Sequence, residues 1–161
     1  MANVKITELT AQTTTADATD VIPVVDVSAN ETKKITVANL ITAQARTFTA
    51  AQRGEIEAVA VAAGDTTKQL DFATANNFAL TLANTASCEL QNPTNLVTGQ
   101  SGSIFIVQDS TGSRLLTYGS SWDFAGGTAP TLSTAADAVD RIDYIVRSAT
   151  SIHAVFTANY S

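Results

Sequence analysis

Charged side chains are scarce in this chain of 161 residues, since Asp, Glu, Lys and Arg together make up only 15% of it. Soluble globular domains average about 25%. Thr, Ala, Ser and Asn occupy many of the positions that charges usually fill. Because little charge is left to keep separate molecules apart, the composition favours a protein that packs against copies of itself or against a larger assembly.

Positive charge is the scarcer sign, because nine Lys and Arg stand against 15 Asp and Glu, for a formal net charge of −6. A chain of this charge repels a phosphate backbone. Its nearest approach to a basic cluster is Lys33-Lys34, which is too small to bind nucleic acid. Nucleic acid is therefore not an expected partner.

Cysteine and histidine occur once each, as Cys88 and His153. A single cysteine excludes an intrachain disulfide and indicates assembly in a reducing cytoplasm. A single histidine without a cysteine pair also excludes a conventional zinc site, so we expect no metal and no cofactor. We interpret Cys88 as a small buried side chain and His153 as a structural residue of a strand.

Long apolar runs are missing. The N-terminus lacks the apolar core of a signal peptide. The longest Ala/Val stretch, residues 58–63, is far shorter than the roughly 18 residues that indicate a membrane span. We therefore expect no membrane insertion, and we expect the chain to reach any extracellular site only by cell lysis.

Residues 1–45 have the pattern of a small attachment segment. Two short strands, 21–27 and 33–37, flank a turn at 28–31, and Pro23 places the first strand at an edge. A short helix is predicted over 37–45. A hairpin with one helix has too little apolar surface to fold alone, so it needs a partner surface. The apolar side chains expected to make this attachment are Ile6, Leu9, Val21, Ile22, Val24, Val25, Ile35, Val37 and Leu40.

Residues 46–63 are predicted to connect this segment to the rest of the chain. Thr49 to Gln52 has the spacing of a capping box, and Gly54 should end the helix after one or two turns. The alternating apolar residues of 55–63 fit either a helix or a strand, of which we favour the strand.

Residues 64–161 alternate apolar and polar side chains in several short stretches, which predicts strands. Asp109 to Gly112 has the composition of a hairpin turn between strands at 104–107 and 115–118. We expect a mainly β outer domain, an antiparallel sandwich or barrel of about seven or eight strands. No repeat of fixed period is visible.

Catalytic patterns are weak. The Gly102-Ser103 and Gly119-Ser120 pairs lack the glycine pattern of a nucleophile elbow. Asp137, Asp140 and Asp143 recur every third residue, but without the glycine and glutamate spacing of a calcium loop, so we interpret them as a solvated loop and strand edge. A polysaccharide-degrading enzyme would need a carboxylate pair in a groove. We expect no enzymatic activity.

Aromatic residues are only 6% of the chain, and three of them, Tyr118, Trp122 and Phe124, lie close together. If exposed, these rings could stack on sugar faces and bind a receptor. If buried, they are the heaviest part of a core that is otherwise poor in aromatics, and this is the interpretation that we favour.

The N-terminal residues resemble a known family. Lys5-Ile6-Thr7-Glu8-Leu9, followed by Asp20 to Asp26 (DVIPVVD) and Thr32 to Leu40 (TKKITVANL), is similar to the N-terminal segment of many tailed-phage virion proteins, including tail fibres and head-attached fibres. This match covers about a quarter of the chain.

The remaining residues resemble the C-terminal β-domains of marine and other environmental phage structural proteins. The stretches that carry this resemblance are Arg46 to Gly54, Gln91 to Leu96, Gly99 to Gly102 and Gly126 to Ser133. The chain departs from long tail fibres in having no room for a shaft, since only a short connector separates its two ends.

The resemblance implies a virion component, commonly trimeric, assembled in the bacterial cytoplasm and displayed on the virion surface, with its N-terminus toward the particle. We therefore expect a non-enzymatic capsid-decorating protein or short head fibre that binds itself and other virion proteins. The alternative is a tail-fibre or receptor-binding protein that recognises a host surface glycan through Tyr118, Trp122 and Phe124.

Overall fold

The computed structural model describes residues 21–26, 31–36, 51 and 53–160. The chain is mainly β, with 47% of it in strands, and this part of the fold prediction is confirmed. It divides into two compact units, residues 1–52 and residues 53–161.

In the first unit, β1 (Val21–Asp26) pairs with β2 (Glu31–Thr36) in an antiparallel two-stranded sheet. Val21 lies opposite Thr36 and Asp26 opposite Glu31. The predicted pairing of two short strands is confirmed, and residues 28–30 of the predicted turn lie outside the described residues. The helix predicted over 37–45 and nearly all of the capping box lie outside the described residues.

The described part of the second unit holds nine strands and one short 3-10 helix, Ala125–Gly127. The strands are β3 (Ile56–Val61), β4 (Thr67–Lys68), β5 (Asn77–Leu82), β6 (Cys88–Leu90), β7 (Ser101–Gln108), β8 (Leu116–Tyr118), β9 (Trp122–Phe124), β10 (Val139–Ser148) and β11 (Ser151–Thr157).

The chain alternates between two sheets as it runs from β3 to β8. The odd-numbered strands β3, β5 and β7 pair in parallel in a large sheet, and β4, β6 and β8 pair in parallel in a small one. Successive turns therefore stack as a solenoid-like coil. The expected antiparallel pairing is wrong for these strands, because each one is followed by a crossing to the other sheet rather than by a hairpin.

The last two strands extend the large sheet. β10 pairs antiparallel with both β7 and β11, and β9 lies parallel to β11 at the edge. The strand order is therefore β3-β5-β7-β10-β11-β9. The hairpin of β10 and β11 covers the backbone groups of β7 that another turn of the coil would otherwise use.

The core is built from stacked side chains of successive turns. Phe78 lies beside Ile104 and Leu80 beside Ile106 across the parallel pair, and all four are at most 1% exposed. Cys88 of the small sheet belongs to the same core. The alternation that predicted strands thus marks the buried face of each strand. Burial of each large apolar side chain stabilises the fold by about 1.5–3 kcal/mol.

The predicted turn at 109–112 forms, but it does not make a hairpin. The Asp109 carboxylate accepts the N–H groups of Thr111 and Gly112 at 3.0 Å each, and Gly112 has a φ of 74°. The next strand joins the small sheet, because the Gln108 side chain accepts from the Arg114 N–H at 2.8 Å and directs the chain away from β7. The predicted hairpin is therefore wrong.

The favoured strand at 55–63 is present as β3. It lies at the edge of the large sheet and pairs with β5, with Ile56 opposite Asn77 and Val61 opposite Leu82. Residues 56–61 of the predicted connector are thus an integral part of the second unit.

Candidate functional site

The aromatic side chains singled out in the sequence pack together. Trp122 is 6% exposed, and its indole N–H donates to the Gln91 carbonyl at 3.2 Å. Its ring contacts Phe72 and Tyr118 edge to face, with centroids 6.4 and 6.5 Å away, and Phe124 meets Tyr118 at 4.8 Å. Trp122 is a core residue, as the favoured interpretation held, and the alternative of an exposed stacking platform is wrong for it.

Tyr118 is also tied to the core. Its hydroxyl is buried and has no hydrogen-bond partner among the residues that the structure describes. Burial, and to a smaller extent the Asp140 carboxylate, raises the pKa of Tyr118 well above its ordinary value. Of the three aromatic candidates, only Phe124 is both half-buried and placed at the border of a groove on the outside of the large sheet.

The large sheet turns one face toward the core and the other away from it. On β3, β5 and β7 the outward side chains are small or apolar and carry no charge. We call this set the alanine-rich half; it consists of Ile56, Ala58, Ala60, Asn77, Ala79, Thr81, Ser101, Ser103, Phe105 and Val107. Ala58, Ala79 and Phe105 form one row across the three strands, and Ile56 is 52% exposed. Such a surface can approach a second sheet closely.

The other half of this face contains a groove of about 510 Å³. We call it the outer groove; its lining includes Asp123, Phe124, Ala125, Asp143, Ile145, His153 and Val155. The strand register fixes its layout, because His153 of β11 lies between Ile145 of β10 and Asp123 of β9. The volume is within the range of about 300–1,000 Å³ typical of ligand sites.

The negative charge of one of the two carboxylates in the outer groove is balanced by an arginine. Asp143 accepts the Ser103 hydroxyl at 2.6 Å and forms an ion pair with Arg141 at 2.8 Å. Arg141 also lies over the Tyr160 ring, 4.8 Å from its centroid. These contacts fix the Asp143 side chain at the wall of the groove.

The other carboxylate keeps a free oxygen. Asp123 accepts the Ser151 hydroxyl at 2.6 Å through Oδ2, and its Oδ1 has no hydrogen bond to the described residues. His153 is exposed and has no hydrogen bond or ion pair within the same part of the chain. The groove thus presents one carboxylate oxygen and one imidazole to solvent.

The aspartate series at 137, 140 and 143 does not form a common site. Asp140 is 1% exposed and accepts the N–H groups of Ser133 and Asn159 at 2.8 and 2.9 Å. The interpretation of a solvated loop is therefore wrong for Asp140, which instead holds two loops against β10. Within the described residues, no group of three or more His, Cys, Asp and Glu side chains could hold a metal ion.

Cys88 is fully buried, as interpreted from the sequence. Burial raises the pKa of its thiol, which disfavours the reactive thiolate.

The proposed attachment residues fall in the first unit. Val21, Ile22, Val24 and Val25 lie on β1 and Ile35 on β2, and Ile22 is 41% exposed. The other four, Ile6, Leu9, Val37 and Leu40, lie outside the described residues. Their role stays a prediction.

Three residues of the outer groove, Asp123, Ile145 and Val155, were not among the sequence candidates. The signal for Ile145 and Val155 was present in the alternation of β10 and β11, which turns these two side chains away from the core. It could be used only once the strand partners were known.

Comparisons of the chain with protein-family models, with curated proteins and with solved structures give no match. None of the helical residues that the structure describes forms a segment long and apolar enough to cross a membrane.

Proposed function

We propose that this chain is a non-enzymatic structural protein of a tailed-phage particle, which decorates the capsid or forms a short head fibre. Residues 1–45 attach it to other virion proteins, and the second unit is displayed outward on the virion surface. The observation that best supports this proposal is the alanine-rich half, a sheet face that carries no charged side chain, as is usual at the centre of an interface between copies. The resemblance of the N-terminal residues to virion attachment segments supports the location.

The proposed assembly is a homotrimer in which the alanine-rich half packs against a neighbouring copy. Ala58 and Ala60 are exposed on the edge strand β3, and small side chains there allow two sheets to pack at about 10 Å. A second copy is the occupant that this surface fits best, since an uncharged face has no electrostatic means of selecting another partner.

Light scattering on the purified chain tests the assembly. At micromolar concentration we expect three times the chain mass of 16.8 kDa. Ala58→Glu should reduce the mass to that of a monomer, because a carboxylate would be buried without a partner at the interface. Thr117→Glu places the same charge on the exposed side of β8 and should leave the trimer intact. A monomeric wild-type chain would contradict the proposal.

Cryo-electron microscopy of purified particles tests the location. Density for the chain over the capsid lattice would support a decoration protein or head fibre. Particles that lack the chain, as judged by mass spectrometry of the same preparation, would refute a virion role altogether.

A second candidate function is a tail-fibre or receptor-binding protein that recognises a host surface glycan. The observation in its favour is the outer groove, which lies beside the alanine-rich half on the same sheet face and carries polar groups. Density only at the tail, together with loss of adsorption when the chain is absent, would favour this candidate over capsid decoration.

A further inference from the structure

The outer groove combines two unpartnered polar groups with an apolar surface. Asp123 Oδ1 and both nitrogens of His153 have no hydrogen bonds to the described residues, and the register puts the two residues side by side on β9 and β11. Ile145 and Val155 next to them are 49% and 60% exposed. Phe124 also borders the groove, but its register with the buried Ala154 places its ring on the core side of the sheet, against Tyr118.

This combination matches the surface of a sugar ring. A pyranose has an apolar face of C–H groups and a rim of hydroxyls, so it can cover Ile145 and Val155 while its hydroxyls bond to Asp123 and His153. A carboxylate oxygen is a strong acceptor for sugar hydroxyls, and charged hydrogen bonds of this kind are stronger than neutral ones. A purely apolar ligand would leave both polar groups desolvated and unpaired.

The charge of the groove restricts the kind of sugar. Asp143 already has a positive partner in Arg141, so the net negative charge near the ligand is that of Asp123. The whole chain carries a formal charge of −6, which repels anionic ligands before contact.

We propose that the outer groove binds a sugar residue that is neutral or carries an amino group, and that it discriminates against uronic and sialic acids. Asp123 and His153 bind the hydroxyls, and Ile145 and Val155 contact the apolar face of the ring. This inference deepens the receptor-binding candidate and rests on it. The virion structural role does not depend on it.

Ligand-detected NMR by saturation transfer tests the proposal with the full-length protein. The probes are glucose, galactose, mannose, N-acetylglucosamine and glucosamine, compared with glucuronic acid and N-acetylneuraminic acid at the same millimolar concentration. We expect transfer to at least one neutral or amino sugar, strongest at ring C–H protons, and none to the two acids.

Two variants localise the binding. Asp123→Asn keeps the size of the side chain but removes the charge, and His153→Ala removes the imidazole; each should weaken binding about tenfold, the loss expected for one good hydrogen bond. Thr117→Ala on the exposed side of β8 is the matched control and should bind like the wild type. Thermal unfolding of each variant verifies that the fold is retained.

Absence of transfer to every neutral and amino sugar would overturn the proposal, and so would equal binding by wild type, Asp123→Asn and His153→Ala. A preference for the acidic sugars would overturn the charge argument. A separate adsorption assay distinguishes failure of the groove assignment from failure of the receptor-binding candidate. If the chain is required for adsorption but no sugar binds the groove, the receptor role stands and the groove assignment fails.

Discussion

Arg114 donates two hydrogen bonds to Asp109, from Nη2 to Oδ2 at 2.6 Å and from Nε to Oδ1 at 3.0 Å. Asp109 directly follows β7, at the start of the turn. Arg114 lies shortly before β8, which belongs to the small sheet. The pair therefore lies at the point where the chain crosses from the large sheet to the small one. The same guanidinium donates to the Asn84 carbonyl at 3.2 Å, which ties this crossing to the preceding turn of the coil.

The first prediction concerns acid stability at this crossing. The hydrogen bond from Arg114, together with the N–H groups of Gly112 and Thr111, lowers the pKa of Asp109 to about 2. Its ordinary value is about 3.9. Because the folded state prefers the ionised form, the pair stabilises the fold above pH of about 4, and that contribution is lost as the pH falls toward about 2.

Asp109→Asn should therefore be less stable than wild type at neutral pH, and the difference should shrink as the pH falls from 4 to 2. Urea unfolding followed by circular dichroism at a series of pH values measures this. A difference that stays constant over that range would mean that the charge of Asp109 contributes nothing to stability.

Asp109 also shows how far the sequence could be interpreted. Its position before Gly112 predicted a turn. The turn forms because the Asp109 carboxylate accepts N–H groups of the next residues and Gly112 adopts a positive φ, and both preferences can be seen in the local sequence. The direction of the next strand depends on Gln108 and Arg114, whose contacts were not visible in any local pattern. Strand positions follow from alternation, whereas strand partners depend on contacts between residues far apart.

The solenoid-like coil was not predicted from the sequence, for a related reason. Val61 pairs with Leu82 and Leu82 with Gln108, so the spacing between turns changes from 21 to 26 residues and no fixed period exists. The outer groove depends on this arrangement, because Asp123, His153 and Ile145 become neighbours only through the pairing of β9, β11 and β10. Composition favours a protein that assembles, but it does not indicate which strands would carry the uncharged face.

The second prediction separates the core role of Trp122 from a binding role. Trp122→Ala should lower the free energy of unfolding by about 3–5 kcal/mol, the usual result of deleting a large buried ring. Trp122→Phe keeps most of the packing and should lose only the bond to Gln91, about 0.5–1.5 kcal/mol. Urea unfolding gives both values, and the Phe variant should bind sugars as the wild type does. A fully stable Trp122→Ala would contradict its placement in the core.

The third prediction uses two glycines as a matched pair. A Cβ atom at Gly102 would lie 1.7 Å from the Asn76 carbonyl oxygen, whereas nothing lies within 4 Å of one at Gly64. Gly102→Ala should therefore destabilise the fold by about 1–3 kcal/mol through overpacking. Gly64→Ala should change stability by less than about 0.5 kcal/mol in the destabilising direction. Thermal unfolding of the two variants side by side measures the contrast, and equal melting temperatures would show that β7 and the 76–77 backbone are farther apart than described.

The fourth prediction compares two buried tyrosines. The Tyr144 hydroxyl donates to the Asn76 carbonyl at 2.8 Å, while the buried Tyr118 hydroxyl has no partner in the described part of the chain. Tyr118→Phe should therefore raise the free energy of unfolding by about 1–3 kcal/mol, because it removes an unsatisfied polar group, and Tyr144→Phe should lower it by about 0.5–1.5 kcal/mol.

Stability at alkaline pH provides an independent measurement on Tyr144. Burial raises the pKa of Tyr144 to about 12, above its ordinary value of about 10, so the folded state disfavours the phenolate. The stability associated with Tyr144 should be complete below pH of about 10 and should fall as the pH rises toward about 12. Tyr144→Phe should reduce this alkaline loss, as measured by urea unfolding at pH values from 9 to 12. If the two Phe variants instead shift stability in the same direction, the difference in hydrogen bonding between Tyr118 and Tyr144 does not control their contributions.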